Sequence, residues 1–121
     1  MPENIDFNCA LLGQGLAREC DAKLLTDALS VLQEQGLYAF FLYLKVCGKE
    51  PGQKMSDECV HFLERIPKDA PLFSNGRNGA VFQKLQKIAE SIDDILFARD
   101  LLMQALVYAR YHAKAKGGDK L

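Results

Sequence analysis

Two histidines, four cysteines and an adjacent pair of aspartates are the side chains of this sequence whose types allow catalysis or metal binding. Cys9, Cys20, Cys47 and Cys59 contain no Cys-x-x-Cys pair, and each sits in an apolar helical pattern, where a thiol acts as a small core residue. A zinc site built from Cys59 and His61 with Cys47 is disfavoured, because ligands two positions apart point to different sides of a helix. Asp93 and Asp94 diverge by about 100° on a helix, and Asp94 stands three residues after Ser91, where a capping role suffices. His112 has no acidic residue four positions away, and neither it nor His61 is expected to be a tuned base. With no glycine-rich phosphate loop, no His-Glu-x-x-His and no nucleophile elbow, the sequence predicts a protein that is not an enzyme and needs no metal or cofactor.

What remains is charge. Arg99, Arg110 and Lys114 share one side of the last helical stretch at offsets of eleven and fifteen residues, about three and four turns, so they can follow a phosphate backbone. The competing role is the ordinary one of cations near a helix C-terminus. The net charge is −1, which does not suggest a strongly electrostatic binder, but the distribution is uneven. Residues 1–36 carry two basic groups against six acidic ones and residues 99–121 five basic against two acidic, giving an acidic head of −4 and a basic tail of +3.

The elements that position these groups all read as helices. At 121 residues the chain has room for one core, so residues 1–121 are expected to form a single helical domain. Ile5, Cys9, Leu12 and Leu16 keep a helical spacing across Gly13 and Gly15, which weaken it. Asp21 caps a second helix that carries Leu24, Leu25, Ala28, Leu29 and Leu32 on one face and stops at Gly36 in left-handed C′ geometry. Leu37–Cys47 is apolar on nearly all sides and is expected as a buried helix in the middle of the bundle, since a lone strand would have nothing to pair with. Residues 48–55 read as a surface loop and Ser56 as the cap of a short helix ended by Pro67. Residues 68–79 have turn composition throughout, residues 80–90 form a helix, and a final helix of about 25 residues runs from Ser91 to Lys116. The expected fold is therefore all-α, a bundle of about five to six helices with a long C-terminal one. No apolar run approaches the roughly 18 to 20 residues of a bilayer crossing and the N-terminus is acidic, so a cytoplasmic protein is expected.

The last helix carries two apolar faces. Ile92, Ile95, Leu96, Leu102, Met103 and Leu106 make the expected core stripe, and Phe97, Leu101, Tyr108 and Tyr111 fall on roughly the opposite side. Either another helix of the chain covers this second seam, or the seam is a partner surface of the kind that tyrosines favour.

Three stretches together resemble a known family. They are the helix, Gly-Leu junction and apolar helix from Leu29 to Lys45, the short segment His61-Phe62-Leu63 followed by a long loop, and the closing stretch from Ala105 to Ala115 with its aromatic, basic and Ala-x-Ala residues. In this order they are similar to the small alpha-helical subunit of type III CRISPR-Cas effector complexes, of the Cmr-module type. The resemblance implies a non-catalytic subunit that stacks along a ribonucleoprotein filament beside the backbone and large subunits. It also implies contact with the duplex of guide RNA and target RNA through basic side chains. By position, Arg110 and Lys114 match the basic sites of the closing helix and Lys45 approximately matches the lysine after the apolar helix. Charge and expected exposure add Lys49, Arg77 and Lys84, and phosphate contacts of this kind would not read sequence. The competing expectation is a helical protein-protein module, an adaptor or a self-associating chain, that uses the seam Phe97, Leu101, Tyr108 and Tyr111 and no nucleic acid.

Overall fold

Asn4 opens helix α1 (Ile5–Glu19) by accepting the Phe7 amide on its side chain at 2.9 Å, which satisfies one of the N–H groups that a helix start leaves unpaired. Asp21 does the same for α2 (Ala22–Gln35), accepting from Leu24 at 2.8 Å. Gly36 ends α2 with φ +99° and ψ −176°, and its N–H donates to the carbonyls of Leu32 and Val31. The positive φ needs glycine, but the extended ψ differs from the left-handed C′ geometry expected there. It lets the next residue begin α3 (Leu37–Cys47) at once. The structure is a computed structural model that describes residues 3–47, 49–73 and 81–118.

From Lys49 to Met55 the stretch expected as a surface loop after α3 is helical. Helix α4 (Lys49–Arg65) starts seven residues before Ser56, which is buried inside it rather than capping it. Pro51 falls in the first turn, where a missing N–H costs nothing, and Gly52 lets the helix press against α3: a Cβ there would lie 2.9 Å from the Leu44 carbonyl oxygen. The joint is tight enough that Lys49 takes a positive φ of 54°, uncommon for a side chain of its kind. After α4 the chain turns back, and Phe73 donates its amide to the Leu63 carbonyl and buries its ring against Phe41. Helices α5 (Val81–Ile88) and α6 (Ile92–Gly118) follow, with Ser91 accepting the Asp94 amide at 3.3 Å. The described residues thus form six helices and no strand.

Helix α6 is the centre of the bundle. It touches α1, α2, α3 and α5, while α4 closes the far side against α1 and α3. Its buried face is Ala98, Leu101, Leu102, Ala105, Leu106 and Ala109, an i, i+3, i+4 pattern in which three of the six residues are alanines. The core stripe expected from the larger residues is therefore displaced: Leu102 and Leu106 are fully buried, but Ile92 is 72% exposed and Leu96 is exposed as well. The alanines mark where α1 comes closest. A Cβ on Gly13 would stand 2.6 Å from the Ala105 carbonyl oxygen and 2.8 Å from both the Ala109 nitrogen and the Tyr108 Cβ. Gly15, two residues on, has open space around it.

The two glycines should respond oppositely to alanine. Gly13→Ala must push apart two backbones and is expected to destabilise by about 1–3 kcal/mol. Gly15→Ala gains helix propensity and is expected to stabilise by about 0.5–1 kcal/mol. Urea unfolding followed by circular dichroism measures both; equal effects would remove the close approach at Gly13.

Candidate nucleic-acid interface

Arg110 and Lys114 lie one turn apart on α6, side by side with Tyr111, and all three are exposed. Opposite them stands the first turn of α2. Ala22 and Thr26 of α2 and Val107, Arg110, Tyr111 and Lys114 of α6 enclose a cleft of about 430 Å³. Neither Arg110 nor Lys114 pairs with a carboxylate among the described residues. Side chains four residues apart on a helix are about 5–6 Å apart, close enough for both cations to reach one anion. Both keep their charge free for an anion, and Tyr111, 67% exposed, adds a ring face beside them.

The other basic residues expected at a phosphate surface are placed elsewhere. Lys84 is a correction: it is buried on α5, and its Nζ lies 3.0 Å from Glu64 Oε2 on α4. It shares one face with Val81, Leu85 and Ile88, so a lysine in the apolar register was carried inward with them and its charge was met by a buried-side carboxylate. Arg99, about 16 Å back along α6 from Arg110, is half-buried, with Nη2 3.6 Å from Asp100 Oδ1 and no acceptor for its buried Nε among the described residues. Lys45 lies over the Phe82 ring, 5.5 Å from its centroid, and Lys49 sits at the α3–α4 joint beside a cleft that also holds Glu19, Asp21 and Asp27. Arg77 lies outside the described residues. Arg110 and Lys114 line one cleft together.

The seam of Phe97, Leu101, Tyr108 and Tyr111 divides in the same way. Leu101 is buried against α1, with the Cys9 thiol 3.6 Å from its carbonyl oxygen, so it is core and not a partner surface. Tyr108 is half-buried, and its hydroxyl donates to both Asp6 carboxylate oxygens at 2.9 and 3.0 Å while Gln104 donates to one of them at 3.3 Å. That hydrogen bond to a carboxylate keeps the Tyr108 proton on and moves its pKa up. The acidic head thus covers this stretch of the basic helix. Phe97 and Tyr111 stay exposed at the seam's two ends.

No other chemistry gathers around these groups. His61 Nδ1 lies 3.6 Å from Glu64 Oε1, a carboxylate three residues on, but the same Glu64 already holds Lys84. Among the described residues no three His, Cys, Asp or Glu side chains are arranged to hold a metal ion; Cys59 is fully buried and Cys47 exposed. Likewise no described helix is long and apolar enough to cross a membrane. Comparison of the chain with protein-family models, with curated proteins and with solved structures finds no match.

Three of the four thiols are held neutral by burial. Desolvation pushes Cys9 and Cys20 up to about 11, with help from Asp6 and from Glu19 and Asp21, and moves Cys59 higher still. A thiol whose folded pKa is raised contributes stability that is full below the ordinary value of 9.0 and lost as pH rises towards about 11. A thiol reagent at neutral pH is expected to modify Cys47 rapidly and Cys9, Cys20 and Cys59 only on unfolding, with Cys47→Ser removing the fast phase. Rapid modification of a second thiol in the native protein would contradict the packing.

Proposed function

We propose that this chain is a non-catalytic, RNA-contacting subunit of a ribonucleoprotein complex, working in the cytoplasm. The observation that carries the reading is the α2–α6 cleft, where Arg110 and Lys114 have no acidic partner among the described residues and Tyr111 is open beside them. Exposed cations of this kind attract phosphates without reading sequence, because backbone contacts position a nucleic acid and carry no base information. The same residues are the ones that match the closing-helix basic positions of the small subunit of type III CRISPR-Cas effector complexes. The finer proposal follows from that resemblance: the chain stacks beside the backbone and large subunits, along a guide RNA paired with a target RNA. Two unpaired cations are a small electrostatic footprint, so binding by the isolated chain is expected to be weak and to strengthen inside an assembly, where several copies add their contacts.

A second reading, the helical protein-binding module, is favoured by one observation. Tyr38, Leu42 and Val46 form an exposed apolar row along α3 at steps of four, 52%, 43% and 72% exposed, which supports a protein-binding face on α3.

Charge reversal tests the first reading. Two neutralised phosphates of a single strand predict that affinity falls about sevenfold between about 50 and 200 mM salt. Anisotropy with a short RNA is expected to show this slope for the wild-type chain and its loss, with weaker binding, in R110E/K114E. Unchanged binding by a folded R110E/K114E would take the RNA contact away from the cleft.

A further inference from the structure

We propose that Tyr111 is a stacking platform for one unpaired nucleobase, so that the α2–α6 cleft takes a single-stranded segment of nucleic acid and not a base-paired one. The inference rests on the cleft being the RNA contact and revises the finer reading in one respect: the segment that Arg110 and Lys114 hold is unpaired, lying beside the guide-target duplex and not part of it.

Two tyrosines on α6 lie one turn apart and are used differently. The Tyr108 hydroxyl is spent on Asp6 and its ring packs against the core. Tyr111 has no ring partner and no hydrogen-bond partner among the described residues, and two-thirds of it faces solvent, although it stands in the wall of a cleft. An open ring face flanked by two unpaired cations is the minimal element of a single-strand site, where a base stacks on the ring and the charges hold the phosphates on either side. Val107 and Ala22 give the cleft an apolar lining for the base, and Thr26 gives it a hydroxyl. Size points the same way. A cleft of about 430 Å³ has room for a nucleoside and not for a duplex. A duplex, besides, keeps its base faces stacked on one another and offers a protein only its shape, its 2′-hydroxyls and its phosphates. Against a duplex the Tyr111 ring would meet nothing that it can stack on.

The test uses the full chain and a fluorescently labelled oligouridine, alone and annealed to oligoadenosine, read by anisotropy at low salt. The wild-type chain is expected to prefer the single strand. Tyr111→Ala is expected to weaken single-strand binding roughly 5- to 150-fold, the loss of one stacked base, and to leave the duplex affinity unchanged; Tyr111→Phe keeps the ring and should keep the affinity. Because Tyr111 lies outside the core, its variants should melt as the wild type does, and the melting curve checks this. Equal binding by Tyr111→Ala and wild type, with R110E/K114E impaired, overturns the stacking proposal and leaves the cleft as the RNA contact. A duplex bound as tightly as the strand also overturns it. No binding of either RNA by the wild-type chain, or binding unchanged in R110E/K114E, overturns both readings.

Discussion

The bundle depends on the contact between Gly13 and the backbone of α6 at Ala105 and Ala109. No Cβ fits there: one would lie within 2.8 Å of main-chain atoms that cannot rotate away. Helices that approach so closely meet over small residues, and the larger ones are displaced to either side of the contact. Around it Cys9 and Leu101 are buried together, and Leu16 and Leu106 are fully enclosed. Once α1 is seated, Asp6 reaches Gln104 and Tyr108, and the end of α1 meets α4 through Glu19 and Lys54, 3.1 Å apart, and through the Cys20 thiol against the Pro51 carbonyl. A second close approach, Gly52 against Leu44, seats α4 on α3 in the same manner. Helix propensity is given up at both glycines in exchange for closely packed helix pairs.

This arrangement also decides which charges remain available. The acidic head folds onto α6 near Tyr108 and leaves the last turns, with Arg110 and Lys114, uncovered. Arg99 and Lys84 are engaged by Asp100 and Glu64, and Lys45 by the Phe82 ring. The net charge of −1 is therefore compatible with a small positive cleft, because the acidic groups are spent or placed elsewhere. Long-range steering by so few charges is screened beyond a Debye length of about 8–10 Å, so the cleft acts at contact range.

Much of the fold was legible because the local signals have single physical causes. Asp21 and Ser91 cap the helices they were expected to cap, Gly36 ends α2, and the apolar run from Leu37 to Leu44 is a helix, although α6 and not α3 takes the middle of the bundle and Tyr38 and Leu42 stay exposed. The misreadings come from the other direction, where a tertiary contact overrides a local rule. Residues 48–55 carry loop composition, yet Pro51 is harmless in a first helical turn and Gly52 is required by the approach of α3. Gly13 was legible only as a weakness of α1, since its partner lies some ninety residues away. Alanines count little in a hydrophobic pattern, so the inward face of α6 was assigned to its larger residues and Leu101 to a second seam whose cover the pattern left open. Lys84 was read from its charge, although its position between Val81 and Ile88 puts it on the buried face of α5. Of the candidate site, Arg110, Lys114 and Tyr111 could be named from the sequence, but the facing turn of α2 could not, because nothing in Ala22 or Thr26 announces a cleft.

The central claim is that nucleic acid meets this protein at the cleft between α2 and α6. Titrating a short single-stranded RNA into the 15N-labelled chain and following its amide resonances tests that claim most directly, residue by residue and at weak affinity. The account predicts shifts concentrated at Ala22, Thr26, Val107, Arg110, Tyr111 and Lys114. Shifts confined to the α3 row of Tyr38, Leu42 and Val46, or none at all, would contradict it.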